Sequence, residues 1–449
     1  MSAEPGPRDG TPITAESEVV DICRDLIRID TSNFGDSSGP GERAAAEYVM
    51  GLLTEVGLEP ELVESEPTRA SVVVRLEGGE GGEGRDAAPG GLLLHGHLDV
   101  VPANAADWQV DPFAGEERDG CLWGRGAVDM KDMDAMLLAV LRQIVRQGRR
   151  PSRDLVFAFL ADEEAGGVKG AKYLVTHRPD LFEGVTEAIS EVGGFSIELE
   201  GQWCYLLQTA EKGVMWLRLV ASGRAGHGSQ VGTDNAVTRL CRAVARIGTY
   251  EWPLELTPTV RAFLDGVTEI TGVEFDPDNP EQLLSRLGTT ARWVGATLQN
   301  TANPTVLQAG YKHNVIPGSA QALVDCRFLN GRDDELLDTI TRLAGEGVDV
   351  EIAHQDVALE VPFEGTLQDA MVAALLAEDP GARVLPYCLS GGTDNKSFSD
   401  LGIRGFGFAP LRLPADLDFA GLFHGVDERV PVDALRFGTR VLDRLLSSC

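Results

Sequence analysis

The stretch "LVFAFLADEEAGG", from Leu155 to Gly167, joins seven apolar residues directly to three acids. A run without polar alternation has no face to give to water, so it predicts a strand covered on both sides, as in a parallel sheet with helices on each face. The acids then stand at the end of a buried strand, where unpaired charge is costly to desolvate. A fold that accepts this sequence must give those acids something to bind.

The surrounding chain repeats the pattern. "ASVVVRLEG", "GGLLLHGHLDVV" and "EAISEV" read as strands, the first two joined by "GEGGEGRDAAP", a low-complexity loop expected to be a solvated hairpin connection. "TAESEVVDICRDLIRI" has apolar residues at helical spacing behind a Thr/Glu start suited to capping, "GERAAAEYVMGLLTEVG" predicts a helix ending on Gly57, and "MDAMLLAVLRQIVRQG" a third. This is the α/β class, a mixed, mostly parallel sheet flanked by helices.

Near Glu211 the style changes. "GVMWLRLVASG", "DNAVTRLCRAVARIG", "TVLQAGYKHNVIP", "AQALVDCRFL", "DDELLDTITRLAG" and "VDVEIAHQDV" follow in the order β-α-β-β-α-β, the split unit of a small ferredoxin-like sandwich. Residues 249–303 inside it are too long for an ordinary loop and predict extra helices. Helices at "TLQDAMVAALLAED" and "VDALRFGTRVLDRLLSS" restore the first style. A chain of 449 residues exceeds one hydrophobic core, so the expected division is a larger domain over 1–210 and 358–449 with a smaller one, 211–357, inserted.

Charge narrows the function. With 39 Lys and Arg against 70 Asp and Glu, the net charge of −31 repels phosphate backbones and anionic lipid, excluding nucleic acid and membrane surfaces as first partners. Seven scattered cysteines without a C-x-x-C pair fit reduced thiols, and no apolar run reaches membrane-spanning length. The expectation is a soluble cytoplasmic protein.

Chemistry concentrates at predicted strand ends. His97 and Asp99 in "HGHLD" are two apart, so on a strand they share a face, at the end where open α/β sheets place their sites. "GRGAVDMKD" adds Asp129, whose commoner role would be a helix cap; "SEVGG" adds Glu191, whose commoner role would be a turn residue; "LFHGVDERV" adds His424. With one Glu of the 162–164 run, these form two imidazoles and three carboxylates without a thiolate, a donor set suited to Zn²⁺, Mn²⁺ or Co²⁺, and a bridged pair of ions would lie roughly 3.5–4 Å apart. A further carboxylate beside such ions could take a proton from water.

The ordered segments "HGHLDVVP", "GRGAVDMKD", "ADEEAGG", "SEVGG", "AGHGSQ", "NVIPG", "SGGTDNKSF" and "FHGVDERV" resemble the di-zinc aminoacylase and carboxypeptidase G-type metallopeptidases, over nearly the whole chain. That resemblance implies that His97 and Glu191 bind one zinc, Glu164 and His424 the other, and Asp129 bridges them. It implies that Asp99 orients His97 and that Glu163 is the general base, activating water and returning the proton to the leaving amine. In the inserted domain, by the same resemblance a lid and dimerisation element, it implies an oxyanion role for His227, reaching into a partner copy's site. Asn314 and Arg327 would hold the substrate, Arg327 gripping a carboxylate, and Gly391, Gly392 and Thr393 would line the leaving-group pocket.

Three positions depart from the family pattern: Asp132 replaces a glycine, Val192 replaces a second acid after Glu191, and no proline follows Ser229. The implied activity is hydrolysis of an N-acyl amino acid or dipeptide with a free carboxylate. Residues 249–303 and "DWQVDPFAGEERDGCLWGRGAVDMKD" look most like the carboxypeptidase S and N-acyl amino acid hydrolase branch, some members of which also run the condensation. Succinyl-diaminopimelate desuccinylase and acetylornithine deacetylase are the alternatives within the family. A silent metal- or peptide-binding relative would lack a ligand or the base, yet all six positions are filled; a purely structural protein would leave the acids at the strand ends without a reason.

Overall fold

The computed structural model describes residues 13–36, 38–79 and 90–448, so the N-terminal lead and nearly all of "GEGGEGRDAAP" lie outside the described residues. The chain divides into two compact units, one of Met1–Ser196, Gly365–Ala382 and Ser397–Cys449, the other of Ile197–Glu364 and Arg383–Lys396.

In the first unit the strands run Glu61–Glu66, Arg69–Leu76, Leu155–Leu160, Gly91–His97, Val185–Ser190 and Arg404–Gly407 across the sheet. The first two pairings are antiparallel and the rest parallel. All six residues of Leu155–Leu160 are buried, because the strand lies inside the sheet and is covered on both faces. Val156, Ala158 and Leu160 pack with Leu174, Phe182 and Phe398 on one side. On the other, the helix Lys131–Arg146 meets the strand Gly91–His97 and packs against the helices Ala15–Arg28 and Val432–Ser448. The expected hairpin between Arg69–Leu76 and Gly91–His97 does not form: Leu155–Leu160 separates them and pairs with both.

Local signals set the helix ends. Thr14 caps the first helix with Ser17, not a glutamate, as its reciprocal partner. Gly57, at φ 88°, closes the helix Arg43–Glu55, its N–H donating to Thr54 O and that of Leu58 to Leu53 O.

The second unit contains an antiparallel sheet in the order Thr301–Ala309, Ser319–Phe328, Gly213–Ser222, Val348–Asp356. The helices Ala236–Gly248 and Asp333–Ala344 share a core with it, built from Leu217, Leu219, Ala322, Val324, Leu240 and Ile340. Residues 249–303 carry the helices Pro258–Thr271, Glu281–Leu284 and Ala291–Ala296. The expected boundaries at 210/211 and 357/358 shift for a physical reason. Gln202–Glu211 pairs in parallel with Arg383–Leu389 and antiparallel with Leu359–Glu360, which holds all three segments in the second unit. No helix among the described residues is long and apolar enough to cross a membrane.

Candidate metal centre

Five ends of secondary structure in the first unit deliver one cluster. His97 closes its strand level with Leu160 of the neighbouring one, so the acidic turn after Leu160 emerges beside it. At Gly96 a Cβ would stand 2.3 Å from Asp134 Oδ1 and 2.7 Å from Met130 Cε, so a larger residue would have to displace those side chains. Glu163 and Glu164 lie in a short 3₁₀ turn, Glu191 follows the strand Val185–Ser190, Asp129 precedes the helix Lys131–Arg146, and His424 precedes the short strand Arg429–Pro431.

Asp129 sits between the two imidazoles. Its Oδ1 is 3.2 Å from His97 Nε2 and its Oδ2 3.1 Å from His424 Nε2. Each ring has a second carboxylate, Glu191 at 3.7 Å from His97 Nε2 and Glu164 at 3.1 Å from His424 Nε2. Glu163 Oε2 is 4.0 Å from His97 Nε2. The trio His97, Asp129 and Glu164 and the trio His97, Glu163 and Glu191 each offer ligand atoms within 4.8 Å of one another. Val192, at φ 51°, is half-buried while Glu191 occupies the cluster.

Asp99 meets His97 through its main-chain oxygen. His97 Nδ1 donates to the Asp99 main-chain carbonyl at 2.9 Å, and the carboxylate is farther, at 3.6 Å. A carbonyl only accepts, so Nδ1 carries the proton and Nε2 faces the cluster. The carboxylate is committed elsewhere, accepting the backbone N–H groups of Glu163 and Glu164, each at 3.1 Å, and Asn33 Nδ2 at 2.9 Å. It therefore holds the acidic turn.

Asn33 also donates to Asp162 at 3.2 Å, and Asp162, at φ 68°, accepts the N–H of Lys169 at 2.9 Å. Behind Asn33, Arg69 donates to its Oδ1 at 3.3 Å and pairs with the buried Glu42. The sequence gives no hint of Asn33, which lies in "TSNFGD", ordinary turn composition. Asn33→Ala leaves two buried carboxylates short of a donor and should cost about 1–3 kcal/mol in denaturant unfolding; an unchanged midpoint would show that the bonds contribute nothing.

Burial opposes charge on His97, but Asp129 and Glu191 outweigh it and hold the ring well above the ordinary histidine range. Asp129 and Glu164 raise His424 to about 10. Burial pushes Glu191 up to about 7 and raises Glu164, the latter helped by the charge of Asp129. Asp129 is held below the usual carboxylate range, its two imidazole partners overcoming the effect of burial. The nitrogen and oxygen donors, without thiolate, fit a hard or borderline divalent ion.

The remaining expected residues lie in the second unit. His227 is exposed, its Nδ1 2.8 Å from Ser229 Oγ, and its strand pairs with Val315–Ile316 beside Asn314. Where the family proline is missing, the N–H of Gln230 donates to His227 O at 3.0 Å, a bond proline could not make. Arg327 Nε and Nη2 donate to Asp325 at 2.8 and 3.1 Å. Thr393 donates through its backbone N–H and Oγ1 to the buried Glu211, at 3.0 and 2.7 Å. Before it come Gly391 and Gly392; a Cβ on Gly392 would sit 2.6 Å from Lys396 Cε.

The family model of peptidase family M20/M25/M40 matches residues 93–448. The chain is 28% identical to the N-fatty-acyl-amino acid synthase/hydrolase PM20D1 of Xenopus tropicalis, covering 93% of this chain and 83% of that protein. It is 26% identical to human aminoacylase-1, covering 96% and 95%. Among solved structures, an M20 family metallo-carboxypeptidase from Sulfolobus solfataricus shares the fold, with a TM-score of 0.72 at 17% identity over 96% of this chain and 98% of that one.

Proposed function

The chain belongs to peptidase family M20/M25/M40, and on that premise we propose that it is a metal-dependent amidohydrolase cleaving N-acyl amino acids or dipeptides that bear a free C-terminal carboxylate. The observation that carries the reading is Asp129, with one oxygen 3.2 Å from His97 and the other 3.1 Å from His424. His97 and Glu191 would hold one divalent ion, Glu164 and His424 a second, and Asp129 both. Zinc suits the donors best, with cobalt and manganese as alternatives. Such ions supply Lewis-acid chemistry, polarising the scissile carbonyl and lowering the pKa of water.

Glu163 accepts the proton of the attacking water and delivers it to the leaving nitrogen. Asp99 anchors Glu163 and Glu164 through adjacent backbone N–H groups, so base and ligand move as one turn. His227 stabilises the oxyanion, Asn314 and Arg327 hold the substrate, and Gly391, Gly392 and Thr393 line the leaving-group side. A homodimer, with His227 of each copy serving the other's site, belongs to the same reading. So does a cytoplasmic location, in keeping with the free cysteines among the described residues.

The test is a panel of N-acetyl, N-succinyl and N-fatty-acyl amino acids and dipeptides, each with its C-terminal carboxamide, assayed with zinc, cobalt or manganese. Turnover of a free-carboxylate class, with its carboxamides far slower, is expected. No turnover of any member, or equal turnover of acids and carboxamides, would overturn the proposal.

A further inference from the structure

Arg125 and Glu428 form an ion pair at 2.7 Å and are 4% and 0% exposed. Each also grips backbone next to an expected metal ligand. Glu428 Oε1 accepts the N–H groups of Val128 at 2.8 Å and Asp129 at 3.2 Å, and its Oε2 accepts that of Gly126 at 3.1 Å. Arg125 Nη2 donates to Gly425 O at 2.9 Å and reaches His424 O at 3.5 Å. Its guanidinium lies 5.2 Å from the Trp108 ring centroid, and the N–H of Gly124 donates to Glu428 O at 3.0 Å.

The pair thus joins two segments about three hundred residues apart, one bearing Asp129 and the other His424. His424 needs this more than His97 does. The side chain of His97 is 1% exposed at the end of an inner strand, whereas that of His424 is 57% exposed on a loop residue at φ 57°. What keeps the His424 ring on Asp129 and Glu164 is therefore the placement of its backbone. A buried ion pair is a poor device for stability alone, since an apolar pair of similar volume often does as well or better.

We infer that Arg125 and Glu428 are positioning residues, a clamp that sets the His424 loop against the bridging-acid loop and so fixes the second of the two metal positions. The inference rests on the metal-centre reading above. Groups that orient metal ligands typically contribute about 10–100-fold in metal affinity, and here the larger loss should fall on the His424 position, with a smaller one at the His97 position through Asp129.

The metal-stripped full-length chain is titrated with zinc by calorimetry, with bound zinc counted after gel filtration and folding checked by circular dichroism. The variants are Arg125→Lys, which keeps the charge but loses the fork, and Arg125→Met with Glu428→Gln, which leaves no lone buried charge. His424→Ala serves as reference for loss of the second position. The wild type should bind two ions, His424→Ala one, and both clamp variants two, with the ion that His424→Ala loses weakened by about 10–100-fold and the other affected less. Folded clamp variants that keep both affinities, or lose both equally, overturn the clamp. If His424→Ala keeps both ions, or the wild type binds fewer than two, the metal-centre reading falls instead.

Discussion

Glu163→Gln should lower kcat by about 10²–10⁴-fold, the usual contribution of general-base catalysis, while leaving both metal ions bound. Glutamine keeps the length and shape of the side chain and leaves the backbone N–H that donates to Asp99 at 3.1 Å, so the acidic turn is not disturbed. What it removes is the ability to hold a proton. The metals should stay because Glu163, at 4.0 Å, is the most distant of the carboxylates around His97 Nε2, behind Asp129 at 3.2 Å and Glu191 at 3.7 Å. Steady-state rates and metal analysis on one preparation separate the cases. A rate within tenfold of wild type places the base elsewhere, and loss of an ion makes Glu163 a ligand.

The fold was legible wherever burial alone decides. "LVFAFL" has no polar face, and it lies inside the sheet with every residue buried. Pairing was less legible, because register between strands depends on partners far away in sequence. Arg69–Leu76 and Gly91–His97 look like a hairpin from their spacing, yet Leu155–Leu160 lies between them. Gln202–Glu211 changes unit because its parallel partner is Arg383–Leu389, a contact that leaves no local mark.

The candidate site divides in the same way. Side chains able to bind a cation stand at the ends of apolar runs, where their type and position are visible, and the structure brings His97, Asp129, Glu163, Glu164, Glu191 and His424 together. Residues that act at one remove were invisible: Arg125 and Glu428 hold turns by N–H and carbonyl contacts, and Asn33 by donating to the Asp99 and Asp162 carboxylates, none of which a spacing rule encodes. Asp99 falls between. Its place was visible, but the atom facing His97 is its main-chain oxygen, because the carboxylate is already taken by Asn33 and the acidic turn.

Asp129→Asn should have the largest effect on metal content. Both oxygens of Asp129 face imidazole nitrogens, at 3.2 and 3.1 Å, and an asparagine has one oxygen for two such positions. Its amide nitrogen, a donor with no lone pair to offer a cation, would face one of the two metal positions whichever way the group turned. The variant also loses a negative charge at the one point shared by both positions, so the ion on the oxygen side should weaken as well. The expected result is at most one bound ion and a rate lower by several kcal/mol of transition-state stabilisation, about 10³-fold or more. Glu191→Gln is the informative companion, because Glu191 approaches His97 alone and its loss should spare the His424 position. If Asp129→Asn retained two ions with wild-type affinity, Asp129 would bridge nothing, and the two halves of the cluster would have to be read as separate sites.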